Sequence, residues 1–364
     1  MNADPDKATA EPNGSWASVS HRALLKRVFV RFSFLAGVGL CALTAASFLG
    51  GWGALFDLTS HFPVQYCAGL MVVCGVFVFL RKWRLAALFG AAGLVNLLQC
   101  APLFFGGGAG GAGQTSPDLT LMSVNVLRSN RSHALVKAVI RRVSPDAFAL
   151  LEVDQRWVDA FAELETDYPY SLKEPRDHNF GIAFYSRKPL RNARSVRFVR
   201  GGVLSVVSEM NVDGEAVTLV ATHPVPPSSV SSTRERNEQL AAIAAFAARR
   251  ETPLVVLGDL NTTPWNRYFK RLVRNGGLMD SAKGFGLQAT WPGSWGGKLQ
   301  RKVGAAPAGA PAGSPFDNFL FRIPIDHCLH SEELETVDRI VGDYVGSDHL
   351  PLTVKLRRRK VRAE

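Results

Sequence analysis

Apolar residues are distributed along this chain in two ways. Between residues 32 and 105 they run almost unbroken, with hardly a charge among them; from Asp118 onward they come in short runs separated by charged and turn-forming positions. In the first region three stretches, 32–52, 66–80 and 85–105, each approach the roughly 20 apolar residues that cross a bilayer core. The second is short, and a buried hairpin helix is its alternative reading. A cleaved signal peptide fits less well, because a polar stretch precedes the first span and two apolar segments follow it. The pattern predicts an N-terminal segment (1–31), three transmembrane helices (32–105), a linker (106–117), a globular domain (118–356) and a tail (357–364).

Beyond the Gly/Ala-rich linker the periodicity changes. Residues 119–126 read as a strand, 133–143 have helical spacing with basic residues on the outer side, and 147–151 are short and apolar. Further strands are expected at 181–185, 203–210, 217–222 and 254–257, with a helix at 234–250 and a hairpin turning at Asp213-Gly214. Strands interleaved with helices and hairpins predict an α/β sandwich with mixed sheets. An Ala/Gly/Pro stretch, 304–314, is left as a loop.

Charge placement adds an orientation. Arg22, Lys26, Arg27 and Arg31 precede the first span and Arg81, Lys82 and Arg84 separate the second from the third, whereas 57–65 contain no Lys or Arg. Basic flanks stay cytoplasmic, so the N-terminus is expected inside and the globular domain outside the cytoplasm. The net charge of +11 does not argue for nucleic acid, because residues 115–354 carry 28 basic against 26 acidic residues. The basic tail reads as a solvated end or as a contact for an anionic surface. Of five cysteines only Cys328 lies in the globular domain, which leaves no internal disulfide there and no zinc spacing; it reads as a small buried hydrophobe.

Polar residues recur where the strands end. Asn125 ends the first globular strand, Glu152 follows the second, and His223 follows 217–222. Asp259 and Asn261 follow the next strand, Asp326 precedes a later one, and Asp348 with His349 precede the last. One acid at a strand end is more often a turn or cap residue than a ligand. Such recurrence points instead to a site.

Ser123-Val124-Asn125, Leu151-Glu152, the run 181–187, Thr222-His223, Gly258-Asp259-Leu260-Asn261, Ile325-Asp326-His327 and Ser347-Asp348-His349 occur in the order found in the endonuclease/exonuclease/phosphatase superfamily. The chain resembles that superfamily over about 118–356, and with three spans in front it is similar to its membrane-bound members. The resemblance implies a four-layer α/β/β/α sandwich of two mixed sheets (DNase I-like) and phosphoester hydrolysis assisted by Mg²⁺ or Mn²⁺. Hard oxygen ligands such as Glu152, Asn125 and Asp348 suit those ions, with Glu152 the principal ligand by resemblance. Asp259 would orient and deprotonate the attacking water, and Asn261 would fix it and contact the phosphate. His349 would bind a non-bridging oxygen, held in its tautomer by Asp326. His223 would be a phosphate contact or general acid whose partner acid is not evident, and Asn179 a further phosphate contact. His327 reads as a core histidine and His178 as solvated.

The same core serves nucleases and lipid phosphodiesterases, so the reaction type is fixed more firmly than the substrate. Arg128, Arg131, Arg176, Trp265 and Arg267 could form a basic, stacking stripe for nucleic acid or contacts for a phospholipid headgroup. Tethering to a lipid bilayer favours a lipid or envelope-associated phosphodiester. Two other readings are a non-catalytic membrane-tethered binding module on the same fold and a transporter-like protein with an accessory domain. The spans contain Asn96 and Gln99 but no buried acid or base of the kind that marks a transport pathway.

Overall fold

The computed structural model describes residues 15–106, 117–293 and 319–359. The Gly/Ala linker from 107, the 304–314 stretch, and portions of the N-terminal segment and basic tail therefore lie outside the described residues. Helix α1 (Ser15–Ser47) is followed by the short α2 (Ala54–Thr59), α3 (Pro63–Phe79) and α4 (Trp83–Cys100), with a 3₁₀ turn at Ala101–Leu103 where Pro102 interrupts the α-helical ladder. Two segments, His21–Ser47 and Trp83–Leu103, are long and apolar enough to cross a membrane, whereas α3 has 17 residues and falls short. Of the three expected spans, the first and third are thus long enough by themselves, and the second, already short in the sequence, is a shorter apolar helix between them. Proline at the start of α3 and a left-handed Arg81 (φ 55°) just past its end confine it. The first helix also begins well before residue 32, because its basic residues are good helix formers and nothing breaks the run. Leu70, Val73, Phe77 and Phe89 are buried between α3 and α4, with Phe77 stacked on Phe89 at a centroid distance of 5.5 Å.

Two six-stranded sheets form the globular domain. The first combines β1 (Leu119–Asn125), β2 (Ala147–Leu151), β3 (Tyr170–Glu174), β4 (Ile182–Ser186), β11 (Leu334–Val341) and β12 (Leu352–Arg358) in the order β11-β12-β1-β2-β4-β3. The second contains β5 (Leu190–Val196), β6 (Ser205–Val212), β7 (Glu215–Thr222), β8 (Leu254–Asp259), β9 (Leu278–Asp280) and β10 (Asp326–Ser331) in the order β5-β6-β7-β8-β10-β9. Each sheet has one parallel pair joined through a helix. β1 and β2 are linked by α5 (His133–Val143), and β7 and β8 by α7 (Val230–Ala248). The remaining pairs are antiparallel, so both sheets are mixed.

Three apolar layers hold the four-layer sandwich together. Leu119, Leu121, Ala149 and Phe184 of the first sheet meet Leu219, Ala221, Val255, Leu257 and Cys328 of the second. The outer face of the first sheet packs Val124, Phe148 and Leu150 on α5 and α6 (Gln155–Ala160), and that of the second packs Val220, Val256 and Leu329 on α7 and α8 (Arg267–Asn275). Helix α7 starts at Val230, ahead of the expected 234, because Ser229 and Ser232 form a reciprocal capping box.

Candidate active site

The period of two that builds the inter-sheet core also delivers the polar residues. Leu119 and Leu121 lie on the inner face of β1, and Asn125 continues that face four residues on; Leu219 and Ala221 lead to His223, Val255 and Leu257 to Asp259, and Cys328 back to Asp326. Asp326 and Asp259 lie directly opposite each other on neighbouring antiparallel strands. Gly258 allows this, because a Cβ there would sit 2.0 Å from the Thr222 carbonyl oxygen and its φ is +146°. The last member arrives on a loop. Ser347 Oγ donates to the Asn125 carbonyl oxygen (2.6 Å) and accepts from the His349 N–H (3.1 Å), tying the Ser-Asp-His turn to the end of β1.

Asp259 is the centre of the cluster. Its Oδ2 lies 3.4 Å from His223 Nε2, 3.6 Å from His349 Nε2 and 3.2 Å from Asn125 Nδ2, and its Oδ1 accepts the Asn261 N–H at 2.9 Å. The acid facing His223, not evident in the sequence, is therefore Asp259 itself. Asp326 Oδ2 lies 2.9 Å from His349 Nδ1. Burial opposes ionisation of Asp259, but His349, His223 and the Asn261 N–H more than offset it, so its carboxyl lies below the ordinary range. Burial likewise opposes charge on His349, and Asp326 and Asp259 overcome it, pushing its pKa up to about 10. His223 moves the same way, burial being outweighed by Asp259.

The residues expected as oxygen ligands sit beside this cluster. Glu152 is buried, has a left-handed backbone (φ 64°), and receives Asn125 Nδ2 at 3.1 Å on Oε1 and the Arg128 N–H at 3.4 Å on Oε2. Asp348 Oδ1 is buried without a hydrogen-bond partner. Among the described residues no Lys or Arg side chain forms an ion pair with Glu152, Asp259 or Asp348. Ligand atoms of Asp259, Asp326 and His349 lie within 4.8 Å of one another, but these three groups already satisfy each other. The unpaired carboxylates of Glu152 and Asp348, with Asn125 between Glu152 and Asp259, are the better fit for a hard divalent cation.

Around the rim, Asn179 is exposed and its Oδ1 accepts Arg128 Nε at 3.3 Å, outside the buried cluster; neighbouring Phe180 faces the His223 ring at 5.6 Å. His327 is fully buried with Nε2 2.8 Å from the Thr262 carbonyl oxygen, and His178 is exposed. Of the expected basic, aromatic stripe, Arg128 lies at the rim beside Asn179, whereas other members are engaged in contacts of their own. Trp265 is buried against Cys100, Leu103 and Ala282, Arg176 pairs with Glu174, and Arg131 Nη1 is bound to the carbonyls of Arg128 and Asn130.

Sequence reasoning missed two further residues. Arg236 on α7 is fully buried and donates from Nη1 to the Asn261 carbonyl oxygen at 2.9 Å and from Nη2 to Asp57 Oδ2 at 2.6 Å. Asp57, on α2, is the sole acid between residues 32 and 105, and that isolation was the available signal.

The Endonuclease/Exonuclease/phosphatase family model matches residues 122–349. No curated protein matches the chain. Among solved structures, the chain is similar to an endonuclease/exonuclease/phosphatase from Beutenbergia cavernae DSM 12333, with 21% identity, TM-score 0.48, and 66% of this chain and 71% of that one covered. It is also similar to the human nocturnin catalytic domain with bound sulfate anion, at 18% identity and TM-score 0.48 over 66% and 94% of the two chains. TDP2 from C. elegans matches at 16% identity and TM-score 0.48 over 66% and 75%.

Proposed function

The chain belongs to the endonuclease/exonuclease/phosphatase family, and we propose that it is a membrane-anchored, divalent-cation-dependent hydrolase of phosphodiester bonds. The observation that carries this reading is the Asp259 carboxylate, held ionised between His223 and His349 at the end of the inter-sheet core. Glu152, Asn125 and Asp348 would hold Mg²⁺ or Mn²⁺, which when bound neutralises phosphate charge and polarises the P–O bond. Asp259 orients a water and takes its proton, with Asn261 fixing the same water and contacting the phosphate. His349, kept protonated by Asp326 and Asp259, donates from Nε2 to a non-bridging oxygen and meets the charge that develops there. His223, on the other side of Asp259, is placed to protonate the leaving oxygen or to contact the phosphate. Asn179, on the rim beside Arg128, serves as an outer phosphate contact.

The placement of the helices supports the anchor. Gln65 at the start of α3 donates to the carbonyl oxygens of Leu320 (2.8 Å) and Arg322 (3.3 Å), and the Leu103 carbonyl after α4 accepts the N–H groups of Gly284 and Gly286. The α1–α3 connection and the end of α4 thus meet the globular domain, while Arg81 and Lys82 in the turn and Arg84 in the first turn of α4 lie at the far end of the α3–α4 hairpin. With basic residues kept inside, this arrangement supports a cytoplasmic N-terminus and a catalytic domain outside the cytoplasm. In that arrangement α3 crosses with α4, a 17-residue helix of about 25 Å fitting a locally thinned bilayer.

A substrate near the bilayer fits better than free nucleic acid, since Trp265 and Arg176 are engaged elsewhere. The deciding experiment is hydrolysis of bis(p-nitrophenyl) phosphate by the full chain in detergent, with Mg²⁺, Mn²⁺ or EDTA, beside Asp259→Asn. Turnover that requires both metal and Asp259 is expected, and phospholipid vesicles, DNA and RNA then rank the substrates. Turnover indifferent to EDTA or to Asp259→Asn would refute the assignment.

A further inference from the structure

The buried pair Arg236–Asp57 joins two regions of the chain that the sequence keeps apart. Asp57 lies between two apolar helices, yet it is 1% exposed and its carboxylate is fully engaged. Oδ2 accepts Arg236 Nη2 at 2.6 Å, and Oδ1 accepts Asn266 Nδ2 at 2.9 Å; Asn266 also donates to Ser60 Oγ at 2.9 Å. His61 Nδ1 lies 3.0 Å from Thr263 Oγ1. Residues 57–61 therefore grip the loop 259–266 at its middle and far end directly, and at its near end through Arg236, which holds the Asn261 carbonyl at 2.9 Å.

That grip matters because the near end is the Gly-Asp-x-Asn turn. Asn261 has a left-handed backbone (φ 50°), a conformation that costs a non-glycine residue energy unless its surroundings impose it. Three bonds impose it here: its N–H to Asp259 Oδ1, its Nδ2 to the Pro224 carbonyl at 2.9 Å, and its carbonyl to Arg236. The first runs directly to the proposed base. A shift of the Asn261 peptide therefore moves both the side chain proposed to contact phosphate and a donor that orients the Asp259 carboxylate. Arg236 is itself steered, since Nε and Nη2 both donate to Asn237 Oδ1 while Asp57 supplies the countercharge. Buried guanidinium without that countercharge is strongly unfavourable, and it would have to rotate or draw in water, releasing Asn261.

We propose that Asp57 is a positioning residue for the active site: through Arg236 it fixes the Asn261 peptide, so the extramembrane connection of the anchor completes the catalytic loop. The inference rests on the reading of Asp259 and Asn261 as catalytic. A catalytic domain cut free of the helices would accordingly fold with a looser 259–266 loop and turn over slowly.

The test uses the full chain in detergent micelles, with wild type, Asp57→Asn, Asp57→Glu, the double variant Asp57→Leu/Arg236→Met, and Gln65→Ala as a control at the same junction. Three quantities are read: kcat and KM on bis(p-nitrophenyl) phosphate, the melting midpoint, and amide hydrogen exchange across 259–266. Asp57→Asn should lower kcat about ten- to hundredfold with KM little changed, and speed exchange in the loop. Asp57→Glu should recover some of the lost kcat, and Gln65→Ala should match wild type. The double variant removes both charges together and should restore the melting midpoint without restoring kcat. A purely structural pair predicts the reverse: the double variant regains kcat with the midpoint, and loop exchange stays at the wild-type rate, which would overturn the proposal. If wild type itself hydrolyses no phosphodiester, the functional reading fails, and loop exchange in Asp57→Asn alone decides whether Asp57 positions the loop.

Discussion

Replacing Asp326 by Asn isolates the electrostatic contribution at the site, because the amide keeps the volume and an acceptor for His349 Nδ1 while removing one negative charge 2.9 Å away. In the wild type, burial pulls the His349 pKa down and Asp326 with Asp259 push it up to about 10. A close opposite charge shifts a pKa by about 1–3 units, so the variant should bring His349 to between about 7 and 9. If His349 works protonated, activity is retained below its pKa and lost above it. The alkaline limb of the kcat profile should therefore move down by about two units: at pH 7 the variant loses less than about twofold through this effect, and at pH 9 about tenfold. The assay is kcat on bis(p-nitrophenyl) phosphate from pH 6 to 9.5 for both proteins at saturating metal. A loss of the same size at every pH would refute the reasoning, since it would mean that Asp326 acts on geometry alone; an unchanged alkaline limb with undiminished kcat would mean that the His349 charge is not used.

Three other perturbations test separate features of the site. Asp259→Asn keeps the shape and removes the base, so kcat should fall by about a hundred- to ten-thousandfold while the circular dichroism spectrum stays native; near-normal turnover would assign water activation to another group. Glu152→Gln should raise the Mg²⁺ or Mn²⁺ concentration for half-maximal activity at least about tenfold, and an unchanged titration would place the cation away from Glu152. Gly258→Ala drives a Cβ to 2.0 Å from the Thr222 carbonyl oxygen, so β7 and β8 must separate and the cost should exceed about 3 kcal/mol. Its melting midpoint should fall by many degrees, and a native midpoint would show that the two strands can move apart there without penalty.

The strand ends were legible in the sequence because the residues that build the inter-sheet core and the residues of the site share one alternation. Once 119–126 and 254–257 read as strands, Asn125 and Asp259 had to emerge at their ends. The edge strands β3, β5 and β11 were not legible, because strands half-open to solvent such as Leu190-Arg191-Asn192-Ala193-Arg194-Ser195-Val196 carry no apolar alternation. The length of α1 is not legible from its apolar run, because Arg22, Lys26, Arg27 and Arg31 bound that run without ending the helix. The position of Trp265 is not legible for a different reason. An aromatic near a phosphate motif suggests a stacking platform, and nothing local to residue 265 announces that Leu103 and Cys100, more than 160 positions away, cover it. Arg236 and Asp57 are invisible as a pair for the same reason, being separated by 179 positions in the sequence.

The cluster also explains why its members cannot be exchanged singly. Asp259, Asp326, His223 and His349 are each at most 5% exposed, and among the described residues no Lys or Arg side chain forms an ion pair with either carboxylate, although Arg339 Nη2 donates to the Asp326 carbonyl oxygen at 3.2 Å. Two buried carboxylates side by side on neighbouring strands would repel if they stood alone; the imidazoles beside them supply opposite charge, and His349 with His223 holds the Asp259 carboxyl below its ordinary range. The carboxylates in turn raise both imidazoles above their ordinary range against the opposing effect of burial. The proton affinities of Asp259, His223 and His349 are consequently set by one another. The same mutual pairing caps the inter-sheet core and sets Asp259 Oδ2 3.6 Å from His349 Nε2, the arrangement on which the proposed proton acceptance by Asp259 depends.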